Sequence, residues 1–275
     1  MLGGFYAAVT LGLTLVFGLL NIVNIAHPAF VILGSYLAYA GNAQWGVDPI
    51  VMGVVLTPLF FILGMLTYSV YHASFEKRDN ESLRGLAFFF GLMFIIEVGL
   101  ILQYGVDYRL VNAAYIGSTI DLGTVRLPLR MLVPFLVAIT MAVGLYLFLA
   151  RTFLGRAIRA VAQDQLALQL VAADPVRIKR IAFGIAIATA CVAGALLIVI
   201  GPVEPATGRA YIGRVFAIVV LAGMGSVGGT VLAAIVLGIV ESVTATFYGP
   251  SWAPAVAFGF LLFALAVRPA GLMGR

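Results

Sequence analysis

Charge is scarce in this chain. Asp, Glu, Lys and Arg make up 10% of its 275 residues, against about 25% in soluble domains. Cysteine is scarcer still. Cys191 stands alone, which excludes an intrachain disulfide framework and a cysteine-based metal site. Two histidines, His27 and His72, are too few for a dedicated zinc centre. HExxH, GxSxG and Walker A sequences are all missing, so neither hydrolytic catalysis nor ATP hydrolysis by this chain is expected. The first Lys or Arg is Lys77. The amino-terminal apolar run therefore lacks the basic region of a signal peptide and is expected to stay as a span. What the chain has instead is apolar surface: 63% hydrophobic residues and a mean hydropathy of +1.13. A soluble fold of this length could not hide so much, whereas a bilayer is a solvent for it.

A helix needs roughly 20 apolar residues to cross about 30 Å of hydrocarbon. Residues 2–23, 131–150 and 181–203 carry no charge, 86–103 carry only Glu97, and 230–252 only Glu241. The runs are continuous rather than alternating, which favours helices over a β-barrel. The expected fold is an all-α polytopic membrane helical bundle, one membrane domain over 1–275. Eight or nine membrane segments are expected near 3–23, 26–41, 49–72, 86–103, 130–150, 180–200, 213–224, 229–247 and 253–267. The second and seventh are short and interrupted by Pro or Gly, a pattern found along transport pathways. The segment 151–180 holds six of the sixteen basic residues, so it is expected in the cytoplasm, with the amino terminus outside. The net charge of +5 thus reads as an orientation signal and not as a nucleic-acid surface. Arg209 and Arg214 read as interface anchors on the outer side, and Glu97 as an acceptor facing the bundle interior.

Three segments carry chemistry. The first runs from Gly155 through Arg156, Arg159, Ala160, Gln163 and Asp164 to Asp174 and Pro175. Ile158, Val161, Ala162, Leu166 and Leu170 share one helical face, with the arginines on another. A short amphipathic helix is expected, ended before Pro175, either lying on lipid or docking a partner. The second segment places Asn21, Asn24 and His27 in apolar sequence just before Pro28. Proline suits the first turn of a helix. A helix opening there inside the membrane would aim free N–H groups and a positive dipole end at a pathway. The alternative is an interfacial turn with His27 solvated. The third is the glycine-rich stretch 222–229, including Gly225 and Gly228, followed by Glu241 within a span. An ionisable group there is either functional or half of a structural ion pair.

These segments together resemble the permease subunits of branched-chain amino-acid ABC importers, the LivH type, over nearly the whole chain. The family's coupling-helix pattern, Gly-Arg-x-x-Arg-Ala-x-Ala-x-(Asp/Asn), is matched by Gly155, Arg156, Arg159, Ala160, Ala162 and Asp164. Ala172 replaces a glycine usual in the family. Its Asn-Phe-Ala-His-Gly segment corresponds to residues 24–28, with Ile25 and Pro28 substituted, and its glycine segment and following glutamate to 222–229 and Glu241. The resemblance implies a bacterial inner-membrane permease subunit importing branched-chain amino acids or related small polar solutes by alternating access. It implies a second, related permease chain, two cytoplasmic ATPase subunits that bind the ATP, and an external substrate-binding protein. No cofactor is expected in this chain. Gly155, Arg156, Arg159, Ala160 and Asp164 would dock the ATPase. Asn21, Asn24, His27, Gly225, Gly228 and Glu241 would border the pathway. The rivals are the same scaffold importing urea, amides or aromatic acids, and an ion-coupled secondary transporter built on Glu97 and Glu241.

Overall fold

The chain is described here from a computed structural model that covers residues 1–76, 81–121, 123, 126–170, 173–223, 225–267 and 271–273. Lys77, Arg78, Ala172, Met224, Arg268 and Arg275 lie outside the described residues. The architecture is the expected all-α membrane bundle. Among the described residues, six helices are long and apolar enough to cross a membrane. They belong to α1 (Leu2–Leu20), α4 (Thr57–Tyr71, prolonged by a π turn His72–Glu76), α5 (Glu81–Tyr104), α6 (Leu129–Arg151), α9 (Pro175–Ile200) and α11 (Val227–Tyr248). Between them stand α2 (His27–Trp45), α3 (Pro49–Val55), α7 (Phe153–Gln163), α8 (Gln165–Leu170), α10 (Thr207–Ala222) and α12 (Ala253–Val267). The described strands are the short antiparallel pair Thr119–Asp121 and Arg126–Pro128, with Ile120 opposite Leu127.

Two helices form the centre. The apolar windows of α1 and α9 are 83% and 78% buried, against 22–39% in the other four long helices. The outer faces of α4, α5 and α6 show Ile62, Leu66, Ile95, Leu102, Leu136 and Val143, as a bundle does whose solvent is lipid.

Local chemistry sets the breaks. The segment expected as one span over 49–72 is divided at Leu56. Pro58 lacks the N–H that would continue the ladder, and its ring crowds the preceding turn. Asp48 caps α3 by accepting from the Ile50 and Val51 N–H groups at 2.8 and 3.3 Å. Another boundary corrects the sequence reading. Helix α9 begins at Pro175, with Asp174 as its cap accepting from Val176 N–H at 2.9 Å. Arg177, Lys179 and Arg180 therefore belong to a helix and not to the loop.

Helix α2 does not start where α1 ends. Its first residue, His27, donates from Nε2 to the Val9 carbonyl at 3.0 Å. Val9 lies eleven residues before Leu20, roughly 16 Å along the helix. Residues 21–26 thus run back along α1, and α2 opens at depth. Gly208, in the first turn of α10, packs against Ile32 and the Pro28 carbonyl. So α10 also opens beside the first turn of α2, and not at the level of Ile200, where α9 ends. The two helices then diverge. The far end of α2 joins the loop at Asn112, where the Asn42 amide donates to its carbonyl at 3.1 Å. The chain after α10 returns to the end of α1, where Gly225 meets Gly18 and Leu19.

Backbones approach closely where α2 crosses α9. A methyl group at Gly194 would overlap the Val31 carbonyl oxygen and the Ser35 nitrogen, and Ser35 Oγ donates to the Gly194 carbonyl at 2.7 Å. Small residues are what let membrane helices meet this closely. Gly194→Val is expected to cost at least about 1–3 kcal/mol by overpacking, read as a lowered unfolding midpoint in detergent. Gly99 on α5 has open space around its Cα, so Gly99→Ala should leave that midpoint unchanged or raise it. Equal midpoints for the two variants would show that the crossing is not close-packed.

Candidate functional site

The amphipathic helix forms, and it is shorter than expected. Thr152 caps α7 by accepting from Gly155 N–H at 2.9 Å. The helix ends at Asp164, whose backbone is extended, so the run expected to reach Leu170 is split into α7 and α8. Ile158 and Val161 are buried, Ala160 is half-buried, and Arg156, Arg159, Gln163 and Asp164 face outward. Gly155 is sterically required: a side chain there would overlap the Phe148 carbonyl and the Leu149 backbone at the end of α6. Its inner face touches α6 and both central helices, α1 and α9. A push on the exposed arginine face therefore reaches the middle of the bundle without an intervening loop.

The residues around the α1–α2 break do not share one environment. Asn21 ends α1 in the left-handed conformation, φ 57°, and is exposed to a cavity on the α7 side. Asn24 and His27 are fully buried. Asn24 Oδ1 accepts from Ala26 N–H at 3.1 Å and helps turn the chain into α2. The turn with a solvated His27 is thereby excluded, and a helix opening inside the bundle takes its place. Asn24 Nδ2 and His27 Nδ1 are buried without a hydrogen-bond partner among the described residues. Gly225 adopts φ +81° against Gly18 and Leu19, a conformation that favours glycine. Gly228 is exposed, near the Met273 sulfur.

Glu241 lies elsewhere, in a buried cluster. Its carboxylate accepts from the Tyr6 hydroxyl and, at 2.8 Å, from Arg214 Nε. Glu97 on α5 is bound twice by the guanidinium of Arg209, once at 2.9 Å from Nε. Arg214 is thus not an outer-interface anchor, whereas Arg209, about half exposed at the head of α10, keeps that position and still reaches Glu97. Both sit on α10 and neutralise acids of neighbouring helices. Charges in a low-dielectric interior persist only when paired in this way.

A third polar cluster escaped the sequence reading. Glu76, in the π turn, accepts from Lys179 Nζ at 2.6 Å, from His72 Nδ1 at 2.6 Å and from the Tyr68 hydroxyl at 2.8 Å. From sequence, Lys179 reads as part of the 151–180 segment between two spans. The signal that could have found it is Asp174-Pro175, which ends one pattern and starts the next helix equally well. For the Glu241 cluster, Arg214→Met strands a buried carboxylate, at an expected cost of about 3–5 kcal/mol. The double variant Arg214→Met/Glu241→Met should recover most of it. Thermal unfolding in detergent checks both, and a double variant as unstable as the single one would contradict the pairing.

Similarity to known proteins follows the same outline. The family model for the permease component of branched-chain amino acid transport systems matches residues 1–265. The high-affinity branched-chain amino acid transport system permease protein BraD of Pseudomonas aeruginosa is 28% identical over 99% of this chain and 92% of its own length. The corresponding LivH proteins of Escherichia coli K12 and Salmonella typhimurium are each 27% identical over the whole of this chain and 92% of theirs. No solved structure matches. With the family pattern carried through all but the last ten residues, the chain belongs to the permease components of branched-chain amino acid transport systems.

Proposed function

We propose that the chain is one of two related permease subunits of an ABC importer in the bacterial inner membrane, carrying branched-chain amino acids or closely related small polar solutes. Two cytoplasmic ATPase subunits bind and hydrolyse the ATP, and an external binding protein delivers the solute. This chain contributes no cofactor and no catalytic group. The observation that carries the reading is α7. Its arginines face outward, its buried face rests on α1 and α9, and a clash-free contact at Gly155 holds it to α6. Such a helix serves as a lever for a partner that changes shape. Arg156, Arg159 and Asp164 form the docking face, and Gly155 and Ala160 set its seat.

Alternating access is a two-state equilibrium, biased by a ligand that prefers one state. Two features support that reading. A cavity opens on the α7 side of the break, and His27 packs against Val9 and Gly12 of α1. The ion-coupled alternative loses support, because Glu97 and Glu241 are each bound to an arginine and neither offers an unpaired carboxylate to a proton or sodium ion.

The first test is co-purification of the tagged chain from native membranes in mild detergent. An ATPase pair with a second hydrophobic permease is expected. Recovery of a stable chain alone would overturn the assignment. The second test reverses one charge on the docking face. Arg159→Glu should leave the protein in the membrane but reduce ATP-driven uptake about tenfold or more, as loss of a charge-assisted contact does. Wild-type uptake in that variant would remove Arg159 from the docking face.

A further inference from the structure

Between the end of α1, the π turn of α4, the start of α5 and the first turn of α9 lies a cavity of about 460 Å³. Small-molecule sites span roughly 300–1,000 Å³. Tyr71, Leu86 and Phe89 give it an apolar wall. Its polar lining groups are Asn21, His72, Glu76, Gln169 and Lys179, and among them Lys179 and the helix end at Asn21 offer charge of opposite sign.

Lys179 makes the first pole. Its side chain is 9% exposed and lines the cavity. An ammonium has three donors, and one goes to Glu76 at 2.6 Å, so two remain for an anionic group. Glu76 holds the lysine in place and is itself occupied, since its oxygens also accept from His72 and Tyr68. The end of α1 makes the second pole. A helix carboxyl end carries partial negative charge on its last carbonyls. Asn21 lines the cavity just there, exposed and with its amide oxygen free of a hydrogen-bond partner among the described residues.

We propose that this cavity binds a zwitterionic α-amino acid with an apolar side chain. Its carboxylate meets Lys179 Nζ, its ammonium meets the carbonyl end of α1 and the Asn21 amide, and its side chain lies on Tyr71, Leu86 and Phe89. The site rests on the reading of the chain as an amino-acid permease subunit and deepens it: the solute has a second resting place inside the permease, on the α7 side of the α1–α2 break. An anionic lipid headgroup such as phosphatidylglycerol fits less well, because it lacks the ammonium that the carbonyl pole would meet.

The test uses the membrane complex in phosphatidylcholine nanodiscs, without the external binding protein. Equilibrium binding is measured with radiolabelled leucine, with leucinamide (no carboxylate) and 4-methylpentanoate (no ammonium) as competitors. Leucine should bind saturably, and each analogue about tenfold or more weakly, as removal of one charged hydrogen-bonding group requires. Lys179→Met should weaken leucine by a similar factor while leaving leucinamide unchanged, a pattern that mere loss of stability would not produce. Val176→Trp, which fills the cavity and leaves the Lys179–Glu76 pair in place, should also abolish leucine binding. Wild-type affinity in Val176→Trp, equal binding of leucine and leucinamide by the unaltered complex, or displacement of leucine by phosphatidylglycerol in the nanodisc would each overturn the site. ATP-driven leucine uptake into proteoliposomes with the binding protein separates the two claims. Uptake without binding in this cavity defeats the site alone, whereas no uptake of any amino acid defeats the permease reading beneath it.

Discussion

Water is absent from the hydrocarbon layer, so a chain reversal placed there must find its hydrogen-bond partners within the protein. Residues 21–26 and 201–206 make two reversals whose backbone groups find partners within the protein. At the first, the Asn24 side chain accepts from Ala26 N–H, and the Asn24 carbonyl from His27 N–H at 3.3 Å. The second pairs with the loop after α5: Arg109 and Val203 exchange both backbone hydrogen bonds, at 2.9 and 3.1 Å. Within it, Glu204 N–H donates to Thr207 Oγ1 at 3.1 Å. These local solutions work only if lipid is kept away. The helices that lead into the two reversals, α1 and α9, are the most enclosed of the six long ones.

Enclosure of that kind demands small side chains. Helix α2 reaches α9 through Gly34 and Gly194, and α1 meets α11 where Gly3 faces Gly238. The larger groups gather where the helices splay. Near the α7 side, Tyr68, Tyr71, Phe75, Phe88, Phe89 and Phe183 form a continuous aromatic cluster, with neighbouring ring centres 5.1–6.5 Å apart. Aromatic contacts of this spacing add to packing beyond their area. They fix the wall against which the Glu76 cluster and its cavity are built.

Much of this was legible from residue order. The apolar runs, the amphipathic character of 153–163 and the opening of a helix at His27–Pro28 follow from periodicity and proline chemistry, and all three are present. Helix partners were not legible. Arg209 and Arg214 look like interface anchors because hydropathy places them near a span edge, and nothing local shows that Glu97 lies 112 residues away in sequence but within hydrogen-bond reach. The candidate pathway residues illustrate the same limit. Asn21, Asn24 and His27 are neighbours in sequence, yet a left-handed residue at Asn21 turns the chain so that one faces a cavity and two are sealed. Small-residue pairs four apart, such as Ala8/Gly12, Gly34/Ala38 and Ala234/Gly238, are visible in the sequence, but which helix each meets is not.

The buried hydrogen bonds also restrict how the bundle can move. Arg209 ties α10 to α5, and Arg214 ties it to α11. Tyr6 and Thr14 bind α1 to α11, the latter through Thr230 at 2.8 Å. On the other side, Lys179 ties α9 to α4. Separating any of these charged pairs in a low-dielectric interior would expose an unpaired ion. A rearrangement that keeps them must leave α10 with α5, α11 and α1, and α9 with α4. Among the described residues, no side-chain hydrogen bond joins α1 to α9; they meet at Gly12 and the Ala186 backbone. Helix α7 rests on both. Helix α2 bridges the two groups, through His27 to the Val9 carbonyl and through Ser35 to the Gly194 carbonyl.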